Sequence, residues 1–206
     1  MDNTDLLVTG HADVTAVLGD ARFTVPPALG DARPPSLAWL RRTVCRFSEG
    51  ADHERRRAIV VGPGPDERVA GRIAVLVQAC EATAALIRAT LPYARRPESR
   101  GRPAGRVVAE TLRFDPPVPV MRRVAAEGAR LNGRAIPRGT AVTLDLRAAN
   151  RDPDVFEEPG RFDPDRREHP HLTFGAGRRP CPGGGHALEL AAGVVEAVLH
   201  ATEGGR

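Results

Sequence analysis

Small and apolar residues recur at helical spacing along the middle of the chain. They return every three or four positions, and the set is Val69, Ile73, Leu76, Cys80, Thr83 and Ile87. This period is that of one face of an α-helix. The pattern predicts a helix over residues 66–91, which Pro65 begins and Pro92 ends.

Shorter helical patterns are present on both sides of this segment. In the first of them Val14, Val17 and Leu18 share one face, and Pro26 and Pro27 then interrupt the pattern. The segments predicted to be helical are 4–24, 37–61 (as one or two helices), 104–113 and 184–200.

Short strands are predicted between residues 118 and 146, where valines alternate with other residues around a turn at Leu131-Asn132-Gly133. Residues 147–183 contain prolines, glycines and charges but little periodicity, so we predict a long ordered loop there. The expected fold is mainly α with a small β component. The length fits a single domain, residues 1–206.

The charge balance is basic, with a net charge of +4 and an isoelectric point near 9.7. All 30 basic residues are arginine, a bias typical of GC-rich coding sequence, so we do not expect a nucleic-acid partner. The absence of lysine also excludes Schiff-base chemistry and the lysine of a phosphate-binding P-loop.

The cysteines and the first residues indicate the cellular compartment in which we expect the protein. Cys45, Cys80 and Cys181 are an odd number at wide spacings, which argues against a disulfide framework. The first residues are acidic and polar rather than a secretory signal, and the longest apolar run, Ile73 to Val77, is too short to cross a bilayer. We expect a cytoplasmic protein with no membrane segment.

The segment with the most informative chemistry is Phe174-Gly175-Ala176-Gly177-Arg178-Arg179-Pro180-Cys181-Pro182-Gly183. A single cysteine is more often a buried small hydrophobe than a ligand. Here Pro180 and Pro182 keep Cys181 out of a helix, and the glycines let a flat macrocycle approach the main chain. The start of the last predicted helix would stabilise a thiolate. A phosphate-binding loop is the rival interpretation, but its lysine and its Ser or Thr are missing.

This segment resembles the cysteine loop of the cytochrome P450 family, whose pattern is Phe-x-x-Gly-x-(His or Arg)-x-Cys-x-Gly. The matching residues are Phe174, Gly177, Arg179, Cys181 and Gly183. The resemblance implies that Cys181 binds the iron of haem b, and that Gly183 belongs to the same cofactor-binding loop. It also implies that Phe174 shields the sulfur and that Arg179 pairs with a haem propionate.

Other segments extend the resemblance across nearly the whole chain. Glu110-Thr111-Leu112-Arg113 fits the family's Glu-x-x-Arg helix, and Arg161 fits the arginine that completes its ion-pair triad. On its own, a Glu-x-x-Arg spacing fits an exposed ion pair on a helix equally well, because the chain is rich in arginine. His53 and Arg57 resemble the family's His-x-x-x-Arg propionate pair, with a solvated charged face as the alternative, and Arg123 resembles another propionate arginine.

The sequence departs from the family in two places. Residues 58–77 stand where family members insert several helices and a mobile lid, so the resemblance implies a shortened fold that lacks most of the lid helices. The family's distal pattern, Ala-Gly-x-(acid)-Thr, is resembled by residues 78–82, where Glu81 keeps the acid and Ala82 replaces the threonine. Thr83 lies about 100° further round the helix. These three are the candidate catalytic residues.

The resemblance implies a haem-dependent oxidoreductase that acts on a small organic substrate in specialised metabolism. Oxygen activation needs a proton-steering hydroxyl and a closed pocket, so the replacement at Ala82 predicts weak conventional hydroxylation. Peroxygenation, dehydration, cyclisation and nitrogen-group transfer remain open. A ferredoxin-type partner would supply electrons, or peroxide would serve as the oxidant.

Two further hypotheses concern binding. The first is a non-catalytic auxiliary protein that stabilises a partner biosynthetic enzyme, against which the retained Cys181 speaks. The second is a zinc site, which fails on spacing because no Cys-x-x-Cys is present; its ligands would be Cys181, His186, His169 and His171. Loss of the lid would uncover the apolar flank of the helix at 66–91, which predicts a homodimer or a partner protein.

Overall fold

A computed structural model describes residues 5–26, 48–61, 67–167 and 170–203. The proline-containing loop to Pro35, the start of the 37–61 segment, Cys45 and His169 lie outside these ranges. A 3-10 turn spans Pro97–Ser99. In chain order the other elements are β1 (Leu6–Val8), α1 (His11–Gly19), β2 (Phe23–Thr24), α2 (Gly50–Val61), α3 (Glu67–Ala94), α4 (Ala104–Phe114), β3 (Val120–Ala125), β4 (Ala129–Leu131), β5 (Arg134–Ile136), β6 (Ala141–Asp145), α5 (Leu146–Ala149) and α6 (Gly184–Glu203).

A four-stranded sheet of order β1-β6-β3-β2 forms one part of the molecule. β1 runs parallel to β6, while β3 runs antiparallel to both β6 and β2. α1 covers this sheet with Val14, Val17 and Leu18, which are all buried as the sequence pattern predicts. The resulting core also contains Val142, Leu144 and Phe23.

The amino-terminal helix is shorter than predicted. Residues 6–8 of the expected 4–24 helix form β1 instead, with Leu6 opposite Val142 and Val8 opposite Leu144. This apolar triplet gains ladder hydrogen bonds and burial from a strand that lies more than 130 residues away, and such tertiary pairing outweighs local propensity.

Three helices form the second core. α3, α4 and α6 pack against one another around Leu86, Val108, Leu112, Ala191 and Val195. The predicted helices over 104–113 and 184–200 are confirmed. The predicted end of α3 is wrong, because the helix continues through Pro92 to Ala94. Pro92 lies two residues before the end of α3, and it costs the helix the one hydrogen bond that its missing N–H would have donated.

The predicted strands and the predicted loop are also confirmed. Asn132 and Gly133 both have positive φ, 48° and 76°, as the two central residues of a type I′ hairpin turn require, and they join β4 to β5. Apart from the short α5, which the Asp145 carboxylate caps through the Ala148 N–H at 2.8 Å, the described part of 147–183 contains no helix or strand.

No helix in the described part of the chain combines the length and the apolar character needed to cross a lipid bilayer.

Candidate functional site

The cysteine loop, residues 174–183, leads from the long irregular segment into α6. It is closed by a backbone hydrogen bond in which the Cys181 N–H donates to the Phe174 carbonyl at 2.6 Å. Gly175 and Gly177 both have positive φ, 72° and 63°, a conformation that side chains other than glycine rarely adopt. The backbone of the loop is therefore fixed by its sequence.

Two glycines also allow close packing of the loop. A Cβ on Gly177 would lie 2.7 Å from the Leu18 carbonyl oxygen, so this glycine lets the loop rest on the end of α1. A Cβ on Gly184 would lie 3.1 Å from the Phe174 ring, which packs against the start of α6 and the three-helix core. The loop is thus held between both cores of the molecule.

The Cys181 side chain is exposed and lies three residues before α6 begins. The first turn of a helix carries a partial positive charge and free N–H groups. Among the described residues no group of three or more His, Cys, Asp or Glu side chains is placed to hold a metal ion. Neither Cys181, His171 nor His186 therefore belongs to a zinc cluster in the described part of the structure.

A basic group lies beside this loop and brings together residues from separate segments. Arg57, on α2, donates from Nη1 to the Pro180 carbonyl at 3.0 Å. His53 is buried one turn earlier on α2, and its pKa is lowered by burial and by the charges of Arg179 and Arg57. The predicted residues His53, Arg57 and Arg179 are thus neighbours.

Arg123 faces the same region. It is buried on β3, donates from Nη1 to the Arg122 carbonyl at 2.9 Å, and lines a pocket of about 190 Å³ together with Arg178, Arg179 and Glu49. Four segments of the chain thus line one pocket next to the cysteine loop, which holds three arginines and two carboxylates, those of Asp20 and Glu49. Such a pocket fits a ligand that carries carboxylates.

The sequence did not predict a role for Glu49. Its carboxylate accepts two hydrogen bonds from Arg179, the one from Nη1 to Oε1 measuring 2.8 Å. A side chain that meets a residue 130 positions away leaves no local signal in the sequence.

Glu110 and Arg113 form a fully buried ion pair on α4. The Arg113 Nη2 and Nε donate to the two Glu110 carboxylate oxygens at 2.6 and 3.0 Å, and neither side chain is exposed. Arg113 also fastens the long irregular segment to α4 by donating to three backbone carbonyls, those of Asn150, Pro159 and Arg161.

The predicted third member of this ion-pair group needs correction. The Arg161 side chain is 64% exposed and pairs with Glu158 at 3.0 Å, so Arg161 contributes its backbone carbonyl to Arg113 rather than its charge to Glu110. The second cation near Glu110 is Arg166, whose Nε lies 3.6 Å from Oε2. Arg166 follows Arg161 by five residues in the same irregular segment. The sequence spacing alone did not show which of these two arginines approaches Glu110.

The three distal candidates on α3 differ in their surroundings. Glu81 is exposed, Ala82 is half-buried, and Thr83 is buried on the face that it shares with Leu86 and Thr90. Leu86 belongs to the core between α3, α4 and α6, so Thr83 lies on the inner face of the helix. A helix rotation would be needed to bring its hydroxyl to the position of Ala82.

Comparison with known proteins gives a family for this geometry. The family model described as Cytochrome P450 matches residues 105–191, which include the buried ion pair, Arg123 and the whole cysteine loop. Over this segment the chain is similar to the cytochrome P450 family. The match does not reach α2 or the distal candidates on α3, and the family's cofactor is haem iron.

Individual relatives agree with this assignment. The chain is 42% identical over 84 residues to "Cytochrome P450 119" of Sulfurisphaera tokodaii, an alignment that covers 41% of this chain and 23% of that protein. The chain thus spans about a quarter of the length of this curated cytochrome P450.

Solved cytochrome P450 structures share the fold. The structure of P450BioI in complex with a fatty-acid-ligated acyl carrier protein matches with a TM-score of 0.75 at 20% identity, covering 94% of this chain and 84% of that one. Mycobacterium smegmatis CYP164A2 matches with a TM-score of 0.56 at 31% identity, covering 78% of this chain and 44% of that one.

The residues at the site fit a haem. The exposed Cys181 thiol at the start of α6 offers a ligand, the glycine-rich loop leaves the backbone accessible, and the pocket lined by Arg123 and Arg179 offers cations for carboxylates.

Proposed function

We propose that this chain binds haem b through Cys181 and acts as a haem-thiolate oxidoreductase on a small organic substrate of specialised metabolism. The observation that carries the proposal is the position of the Cys181 thiol, exposed at the start of α6 in a loop whose backbone is fixed by glycines. A thiolate ligand raises the electron density on haem iron and favours oxidative chemistry when haem is bound.

Each protein group has a separate task in this proposal. Phe174, whose ring packs on Gly184, would shield the sulfur once haem covers the exposed Cys181 thiol, and the start of α6 would place a partial positive charge near it. Arg179, Arg123 and Arg57 would neutralise the two propionates, and the neutral ring of His53 would hydrogen-bond to them, since all four residues lie in or beside one pocket. The charges of the arginines fix the orientation of the cofactor.

The distal helix supports a proposal about the reaction type. A hydroxyl at the position of Ala82 would hold and deliver a proton, and a methyl group does neither. Thr83 is buried one position further along the helix, about 100° round from Ala82, so its hydroxyl would not stand in the same place. We therefore propose a non-standard reaction such as peroxygenation, dehydration, cyclisation or nitrogen-group transfer, with peroxide or a ferredoxin-type protein as the co-reactant.

The turnover experiment compares two sources of oxidising equivalents on the same purified, haem-loaded protein. One reaction receives ferredoxin, ferredoxin reductase and NADPH, and the other receives hydrogen peroxide, each with a panel of small organic substrates. We expect little product and substantial peroxide release in the first. Efficient product formation there, without peroxide release, would contradict the proposal about Ala82.

The alternative is an auxiliary protein that stabilises a partner enzyme. An exposed apolar face on α6, with Leu190 60% exposed, favours some partner in either case. Cofactor content separates the two functions, because an enzyme of this kind should hold one porphyrin and one iron per chain after incubation with haem. A folded chain that retains neither would support the auxiliary role.

A further inference from the structure

Glu49 immediately precedes α2, and its side chain binds partners on other segments of the chain. Its backbone carbonyl accepts the His53 N–H at 3.2 Å, as the residue at a helix start does. Ser, Thr, Asp and Asn are the residues that usually cap from this position. The Glu49 side chain instead leaves the helix, where one carboxylate oxygen accepts the Val25 N–H at 3.0 Å.

The same carboxylate engages Arg179 through two parallel hydrogen bonds. This fork-to-fork arrangement is how an arginine recognises any carboxylate, including that of a ligand. Burial raises the pKa of Glu49, but the hydrogen bonds from Arg179 and Val25 outweigh this effect, so its pKa lies below its usual value and the group is ionised at neutral pH. Arg179, with its side chain only 22% exposed, thus already holds an anion.

The pocket beside this pair belongs to the proposed propionate site. Glu49 lines it together with Arg123, Arg178 and Arg179, and it is the one carboxylate among them that binds Arg179. A propionate that pairs with Arg179 would need the same guanidinium edge that Glu49 uses. The two carboxylates therefore exclude each other.

We propose that Glu49 acts as an internal carboxylate that competes with a haem propionate for Arg179 and so weakens haem binding. The inference rests on the proposed haem-binding function. When one conformation must be released before a ligand binds, the apparent affinity falls by the fraction of molecules that are competent. If the Glu49–Arg179 pair has the ordinary strength of a partly exposed ion pair, it lowers the apparent affinity for haem by a factor of about five.

The test measures the Kd of haem for three haem-free proteins by spectroscopic titration: wild type, Glu49→Gln and Glu54→Gln. Glu54 is exposed on the same helix, so its substitution removes the same charge without touching Arg179. We expect Glu49→Gln to bind haem about five-fold more tightly than wild type and Glu54→Gln to bind it about as wild type does.

The dimethyl ester of haem, which lacks the propionate charges, is the second ligand in the titration. The gain of Glu49→Gln should disappear with the ester, because the proposal concerns the propionate alone. Equal or weaker haem binding by Glu49→Gln would overturn the competition, and weaker binding would show that Glu49 orients Arg179 instead. A gain that persists with the ester would overturn it too.

One further measurement and one further variant keep the outcomes distinct. If no variant binds haem while circular dichroism shows folded protein, the proposed function itself fails. If wild type binds haem but Glu49→Gln shows no gain, only the inference about Glu49 fails. Glu49→Ala provides a second variant with the same expected gain should the glutamine variant fold poorly.

Discussion

Arg113 is the residue on which the long irregular segment most depends. Its guanidinium is fully buried, pairs with Glu110 and donates to three backbone carbonyls that have no secondary structure of their own. Exposed ion pairs contribute little to stability, whereas breaking a buried pair leaves an uncompensated charge in the interior. The two arginines predicted for one triad should thus respond very differently to substitution.

Replacing Arg113 with Leu should lower the free energy of unfolding by about 3–5 kcal/mol, because Glu110 would stay buried without its partner. Urea denaturation followed by circular dichroism measures this loss. Arg161→Leu is the matched control, and its exposed pair with Glu158 should account for less than about 1 kcal/mol. Equal losses for the two variants would contradict this account.

His53 should give the haem-free protein a pH-dependent stability. Its pKa in the folded state lies below the ordinary 6.5, through burial first and then through Arg179 and Arg57, while Glu49 and Glu54 oppose the shift. The unfolded chain then binds the proton at higher pH than the folded one. The free energy of unfolding should therefore rise as pH increases from below the folded pKa to 6.5, and then level off.

Urea denaturation between about pH 5 and pH 7 tests this dependence, with His53→Gln as the comparison. The variant should lose part of the slope over that range. Carboxylates such as Asp20 and Asp152, whose pKa values are lowered by hydrogen bonds, titrate below the window and are common to both proteins. An identical slope in both proteins would show that the environment of His53 is not the one described.

At the scale of elements, local patterns in the sequence predicted most of the fold. The periodicity of residues 66–91, the Asn132-Gly133 turn and the aperiodic loop each depend on neighbours within a few positions, and each is present. The features that the sequence did not predict depend on residues far away in the chain. β1 is a strand because β6 lies beside it, and Glu49 reaches the site because α2 places it next to Arg179.

The site shows the same division. The cysteine loop is one continuous segment, and its residues were predicted together because its spacing is unusual. The choice between Arg161 and Arg166 depends on how an irregular segment folds over α4, which periodicity does not describe.

The contact between the cysteine loop and α1 should be intolerant of a side chain. Gly177→Ala would place a Cβ 2.7 Å from the Leu18 carbonyl oxygen at a φ of +63°, so we expect a loss of about 1–3 kcal/mol together with weaker haem binding. Gly185→Ala, where a Cβ would meet nothing within 4 Å, should change stability by less than about 1 kcal/mol. Urea denaturation and haem titration of both variants check this, and a harmless Gly177→Ala would refute the contact.

On the scale of the whole molecule, α6 presents an exposed apolar surface that no other described element covers. It borders a shallow cavity of about 450 Å³, and its apolar lining residues are Leu190, Gly193, Val194, Ala197, Val198 and Ala201. The sequence pattern predicted self-association through the flank of α3. The structure adds this surface of α6 as a described candidate for the contact, since one apolar patch can cover its own copy.

We expect a dimer in light scattering after gel filtration, and Leu190→Gln should shift it towards monomer. Leu7→Gln is the control, because Leu7 is equally exposed, at 60%, on β1. A monodisperse wild-type monomer at high protein concentration would contradict the expectation, as would equal shifts in both variants.

The central claim is that Cys181 ligates haem iron as a thiolate, and the absorption spectrum of the reduced, carbon-monoxide-treated protein tests it most directly. Wild type and Cys80→Ala, which removes the other exposed cysteine in the described part of the chain, should both show the red-shifted Soret band of a thiolate-bound haem. Cys181→Ala should lose that band. Retention of the band in Cys181→Ala, or its absence from haem-loaded wild type, would contradict the account.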